Sequence, residues 1–182
     1  DAGDLPRAAG GVADALLKVL QAVPPPFKVD GPVAIPADGM LAYSEGANLL
    51  FRGDVRQSVP KLQLAVSRAP AFTAAWVRLS EAYERQGYDD KALDAAQRAV
   101  ATLGPAPGRI SYEAKGREAF LKGDPAAAEA ILDAMIKQFP NEIQGRMMLA
   151  EACAQKGDTR RAMEVLRQVV TADPNPPAVW AR

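Results

Sequence analysis

Along most of this chain apolar residues return at three- and four-residue steps, the spacing that places them on one side of a helix. Near the N-terminus Val12, Ala15, Leu16, Val19, Leu20 and Val23 keep that step and predict an amphipathic helix over roughly residues 6 to 23,. Further on, Trp76, Leu79, Ser80 and Tyr83 fall at i, i+3, i+4 and i+7, predicting a helix whose stripe packs on its neighbours,. Between the two, Pro24, Pro25, Pro26, Pro32 and Pro36 break the step and stiffen an extended linker,. Phe27, Val29, Val33 and Ile35 make that linker too apolar for a freely solvated spacer, so it is expected to lie against the rest of the fold.

The pattern recurs because the chain repeats. Gly53, Gly87, Gly123 and Gly157 stand 34, 36 and 34 residues apart, each followed within two residues by an aspartate. Pro70, Pro140 and Pro174 mark a second point of the same cycle, with Pro105 one place off. Small or apolar residues track it too: Ser58, Ala92, Ala128 and Ala162 form one series, and Ala65, Ala99, Met135 and Val169 another. This period divides the chain into units at 39–72, 73–106, 109–142 and 143–176, with Pro107 and Gly108 as an inserted pair of loop formers,. A fifth unit begins at Pro177 and is cut off at 182, which suggests a longer parent polypeptide.

Each marker has a mechanical reason. Glycine reaches the left-handed conformation that closes a helix at no steric cost, so each of the four ends a first helix. The aspartate after it is placed to accept backbone N–H bonds at the next helix start, and Pro125 sits where a first-turn proline loses nothing. The late proline biases the residue before it away from helix and punctuates the link to the next unit. Pro60 lies beyond the first turn of its helix and is expected to force a kink or a late start,.

Trp76-x2-Leu79-Ser80-x2-Tyr83, followed by Gly87, Ala92 and Ala99, resembles the tetratricopeptide repeat in order. The fourth unit keeps Leu149, Ala150, Gly157, Ala162 and Pro174, and Trp180 in the stub takes the place of Trp76. In the first and third units Gly46 and Gly116 fit the family's small position. There Glu45 and Lys115 stand where the family prefers a large apolar residue, so the stripe shifts to Leu49, Leu50, Ala119 and Phe120. The resemblance covers residues 39–182, leaving 1–38 as helix and proline-rich linker. It implies an all-α, right-handed superhelical solenoid of antiparallel helix pairs, with about four repeats and a truncated fifth, and a concave groove lined by the first helix of each unit. A helix and proline linker ahead of such repeats also resemble the junction in bacterial regulators, where an enzymatic or DNA-binding module precedes a repeat tail.

The resemblance further implies which residues face the groove. The first unit supplies Met40, Tyr43, Ala47, Leu50 and Phe51, and the second Ala74, Val77, Glu81, Glu84 and Arg85. The third supplies Ile110, Glu113, Arg117, Phe120 and Leu121, and the fourth Gln144, Met147, Glu151, Ala154 and Gln155. Tyr43, Ala47, Val77 and Glu81 replace the lysines and asparagines with which chaperone-binding members clamp a C-terminal carboxylate, so that ligand is not expected. Glu81, Glu84, Glu113 and Glu151 would suit a peptide bearing Lys or Arg, or simply solvate the face. Tyr43, Leu50 and Phe51 would hold an apolar anchor of a partner helix, or be covered by the chain's own N-terminal segment. Met147 and Met148 suit an adaptable surface or a core gap equally, and Met148 is assigned to the core.

Composition narrows the function. The 22 basic and 22 acidic residues cancel, leaving no field to hold a nucleic-acid backbone,. The count of zero histidines removes Ser-His-Asp triads, Cys-His pairs and the usual zinc sets, and no metal or cofactor is expected,. Cys153, the single cysteine, lies in an apolar helical pattern and reads as a buried thiol,. Ser58-x-x-Lys61 matches a Ser-Lys nucleophile motif only in letters, because Pro60 interrupts it,. No stretch reaches the roughly 18 apolar residues of a membrane span. Asp1 opens the chain without a signal-like segment, which leaves the compartment open,.

Two functions remain. One is a non-catalytic scaffold that binds a protein or peptide through the groove; the other is a spacer, assembly arm or sensory tail whose groove is filled in cis by residues 6 to 38. Self-association through the open C-terminal repeat end is a further expectation.

Overall fold

The computed structural model describes residues 35–104 and 108–172. Within them lie eight helices: α1 Ala37–Arg52, α2 Val55–Arg68, α3 Thr73–Glu84, α4 Asp89–Ala101, α5 Arg109–Leu121, α6 Pro125–Gln138, α7 Ile143–Gln155 and α8 Thr159–Ala172. The expected helix at 6 to 23, the linker up to residue 34, Pro105, Pro107, Pro174 and the stub with Trp180 lie outside the described residues.

The helices pack in consecutive pairs, and the turn inside every pair is built alike. Gly53, Gly87, Gly123 and Gly157 take φ values of 89°, 76°, 74° and 88°, the left-handed region that side-chain-bearing residues rarely enter,. Each glycine N–H reaches back three residues, as from Gly53 to Leu50 O at 3.1 Å. The N–H that follows reaches back five, from Asp54 to Leu49 O, Tyr88 to Tyr83 O, Asp124 to Ala119 O and Asp158 to Cys153 O, at 2.9–3.0 Å. Two carbonyls that the helix end would leave unpaired are thereby satisfied in every unit.

The aspartates divide. Asp124 accepts from Ala127 N at 2.9 Å and Asp158 from Arg161 N at 3.0 Å, as their positions predict,. Asp54 stands at the same place without a side-chain cap bond, and in the second unit Tyr88 occupies the cap while Asp89 and Asp90 lie in the first turn, where their charge meets the helix dipole,.

Links between units follow from proline. α2 ends one residue before Ala69 and α6 one before Phe139; these residues precede Pro70 and Pro140 and sit at φ −136° and −126°, out of the helical region,. In the second link, between α4 and α5, Gly108 caps α5, its N–H donating to Ser111 Oγ at 3.3 Å.

Pro60 does not delay α2, which begins at Val55 and runs through it. Both Pro60 and Arg56, whose carbonyl loses its donor, are exposed,. Inside each hairpin the two helices meet at small residues. A Cβ on Gly46 would lie 2.7 Å from Leu62 Cγ, and one on Gly116 3.0 Å from Leu132 Cδ2. Ala65, Ala92, Ala99, Ala128, Met135 and Ala162 are buried on the second helices, and Cys153 and Met148 on α7. Burial pushes the Cys153 thiol up, so it stays protonated and behaves as a small apolar group,.

The first helices also touch one another in series, α1 with α3, α3 with α5 and α5 with α7. They form one inner row, and the groove positions lie on it.

Candidate functional site: the inner row of first helices

Four-residue steps on α3 and α5 stack charged side chains on the inner row, and the structure shows what becomes of them. Arg78 Nη1 donates to Glu81 Oε2 at 2.7 Å, and its Nη2 crosses to the next unit, to Glu113 Oε2 at 2.9 Å. The other Glu113 oxygen takes Arg109 Nη1 at 2.8 Å, and the same nitrogen lies 3.3 Å from Glu142 Oε2. Arg117 runs the other way, its Nε donating to Ser80 Oγ at 2.8 Å and its Nη2 to Glu84. Ser80 Oγ in turn donates to Ala92 O at 2.7 Å, which ties the pair into α4. Arg85 Nη1 donates to Leu50 O at 2.9 Å, binding the second unit to the end of α1.

These contacts are deep. The Glu113 side chain is 0% exposed and that of Arg117 7%. Burial alone would depress the Arg78 pKa, yet Glu113 and Glu81 outweigh it and hold the guanidinium charged,. Burial likewise raises the Glu81 carboxyl, but Arg78, Arg117 and Arg85 bring it below its ordinary value. Tyr43, whose ring centre lies 4.7 Å from that of Phe72, has its hydroxyl pushed up to about 12 by burial, against the pull of Arg78.

The groove candidates therefore separate. Tyr43, Leu50 and Val77 are buried at 2% exposure and belong to the core, so they present no surface to a partner. Glu113 and Arg117 are buried within the ionic network, and Glu81 and Glu84 are half-buried in pairs with arginines. Phe51, at 61%, and Arg85 are exposed, and Phe120 and Met147 are half-buried.

Glu151 differs from the other acids. It is exposed and makes no ion pair among the described residues. Partial burial raises its carboxyl pKa, and Glu84 and Glu81 raise it further, against Arg117. Phe120, Arg117, Met148 and Glu151 line one small hollow.

Sequence reasoning missed Arg78, Arg109 and Glu142, and it placed Ser80 in the packing stripe without its bond to Arg117. Two signals were available: Arg78 precedes Glu81 by three residues and Arg109 precedes Glu113 by four, steps that bring side chains together on a helix. The bonds between units join residues 35 and 33 apart, about one repeat, and need the register of neighbouring helices as well.

Among the described residues no group of three or more His, Cys, Asp or Glu is placed to hold a metal ion, and no helix is long and apolar enough to cross a membrane.

Two tetratricopeptide repeat family models match, one over residues 43–108 and the other over 119–181. No curated protein matches the chain significantly. Among solved structures the fold is similar to TTC0263, a thermophilic TPR protein of Thermus thermophilus, at 22% identity over 77% of this chain and 76% of that one, with a TM-score of 0.56. A tetratricopeptide repeat protein from Parabacteroides merdae ATCC 43184 matches at 14% identity and TM-score 0.55 over 94% of this chain, which spans 62% of that one. The 41-end form of MamA from Desulfovibrio magneticus RS-1 matches at 15% identity and TM-score 0.50, over 79% and 80% of the two chains. At these identities the likeness concerns the fold alone.

Proposed function

Since the chain belongs to the tetratricopeptide repeat family, whose repeats generally mediate protein–protein contacts, we propose that it binds a protein or peptide segment along the inner row of first helices, centred on Phe120, Met147 and Glu151. Domains of this family are typically non-catalytic, and the proposal assigns the row no chemistry.

One observation carries the reading: among the described residues Glu151 is the groove acid that makes no ion pair. Glu81, Glu84 and Glu113 are committed to Arg78, Arg109 and Arg117, so they hold the helices together and have little field left for a ligand,. Glu151 stands exposed beside Glu84 with its carboxylate disfavoured, and a lysine or arginine brought there relieves that repulsion,. Met147, four residues earlier on the same helix face, and Phe120 across the hollow supply apolar contact beside it,. Bound in this way, a partner residue pairs a cation with an adjacent bulky apolar side chain. This narrows the groove of the sequence reading from all four units to the third and fourth.

Selection from a displayed library of random peptides tests it. The expected winners carry Lys or Arg within a helical turn of a bulky apolar residue. Phe120→Ser and Glu151→Arg should each weaken them about tenfold, a loss of roughly 1.4 kcal/mol. Winners without a basic residue, or binding unchanged in Glu151→Arg, would refute the assignment.

A further inference from the structure

A cleft of about 330 Å³ opens at the seam of the second and third hairpins, lined by Val100 of α4, by Lys115, Glu118, Ala119 and Lys122 of α5, and by Asp124 and Ile131 at α6. Its origin is legible in the repeat. Lys115 occupies the unit position filled by Leu79 in the second hairpin and Leu149 in the fourth, both 2% exposed and packed into the core. A lysine cannot leave its ammonium in that space, so its side chain is exposed and the volume a leucine would fill stays open,. What remains is a floor of half-buried Val100, Ala119 and Ile131 under a charged rim. On α5, at 100° per residue, Lys115, Ala119 and Lys122 lie on the side opposite Glu113, Arg117 and Phe120, so this cleft is separate from the inner row.

The rim charges are not equivalent. Lys122 Nζ is held by Glu118 Oε1 at 2.7 Å, and Asp124 is engaged in capping α6 through Ala127 N at 2.9 Å. Lys115 makes no ion pair among the described residues. Among the described residues the cleft thus offers an apolar floor of ligand-binding size with one uncommitted cation at its edge,. We propose that it is a docking site for a partner peptide that inserts a branched aliphatic side chain onto Val100, Ala119 and Ile131 and sets a neighbouring Asp or Glu against Lys115. The aliphatic group replaces the leucine that this repeat lacks, and the carboxylate answers the lysine that took its place.

The experiment titrates the full chain, isotope-labelled, with acetyl-Asp-Leu-Leu-Asp-amide, reading the backbone amide shifts of Val100, Ala119 and Ile131 by NMR. Acetyl-Lys-Leu-Leu-Lys-amide and acetyl-Asp-Ala-Ala-Asp-amide serve as controls. The expected result is a saturable shift with the first peptide and none with the controls. Lys115→Gln keeps the cleft and removes the charge, and it should weaken binding roughly threefold, the size of an exposed ion pair. Lys115→Leu refills the volume, so it should abolish the shift while raising the melting temperature. No saturable response to the acidic leucine peptide, an equal response to either control, binding retained by Lys115→Leu, or a lower melting temperature in that variant would each overturn the proposal.

Discussion

Arg78 and Glu113, 35 residues apart on successive hairpins, meet at 2.9 Å where the Glu113 side chain has no exposed surface. That pair, with Arg109 on the second carboxylate oxygen, turns Glu113 from an expected ligand contact into a joint between repeats. A repeat stack is held by contacts between nearest neighbours alone, so such a joint bears directly on whether adjacent hairpins unfold together.

Removing Glu113 strips Arg78 and Arg109 each of one carboxylate in a buried site, leaving Glu81 and Glu142 to hold them. Glu113→Ala should lower the unfolding free energy by about 3 kcal/mol or more in urea titration, because Arg78 and Arg109 lose their common acceptor. Replacing the pair by apolar groups, as in Arg78→Met with Glu113→Leu, should recover much of the loss. A single variant within about 0.5 kcal/mol of wild type, the range of an ordinary surface substitution, would show that the joint is not a buried one.

Acid should act on this row in two directions. The Glu81 carboxyl lies below its unfolded value, so it contributes stability above about pH 4.3 and loses it as pH falls through the lower folded value,. The Glu151 carboxyl lies above its unfolded value, so its contribution is full below about pH 4.3 and is lost as pH rises through the folded value,. In thermal melts, wild type should exceed Glu81→Gln at pH 7 and approach it at pH 3. Against Glu151→Gln, wild type should be the less stable protein at pH 7 and become equal on acidification. Gaps that hold constant across that range would contradict both assignments.

Arg146 stands at the unit position of Trp76. Trp76 Nε1 donates to Pro70 O at 2.8 Å, and Arg146 Nη2 donates to Pro140 O at the corresponding point of the next link but one. The match is incomplete, since Arg146 Nε and Nη1 are buried with no hydrogen-bond partner among the described residues. Arg146→Trp keeps the bond to the linker and removes two unsatisfied donors. It should stabilise the protein by about 1 kcal/mol, read as a higher urea midpoint at unchanged m-value. A lower midpoint would mean that the fourth hairpin cannot hold the indole.

The paired-helix architecture was legible in the sequence because its signals are local. Gly53 or Gly123 ends a helix by its own backbone freedom, and Pro70 or Pro140 straightens the residue before it, whatever the rest of the chain does. The inner row was not legible to the same depth. Glu81, Glu84 and Glu113 read as solvent-facing acids at groove positions, while their fate depends on Arg78, Arg109 and Arg117, some of them a full repeat away. Tyr43 and Leu50 show the same limit, because only the packing of α1 decides that they turn inward while Phe51, next to Leu50, stays 61% exposed. Of the two outcomes expected of Pro60, the late start does not occur, since α2 begins at Val55 and runs through the proline on its exposed side.

The central claim is that Glu151 meets a basic residue of the partner, and a charge swap tests it most directly. Binding of a library-selected peptide and of its Lys→Glu form would be measured calorimetrically against wild-type protein and Glu151→Arg. The account predicts that each single change weakens binding and that the doubly changed pair regains most of the lost affinity. Losses that simply add in the doubly changed pair would show that the two charges never meet, and would contradict the assignment.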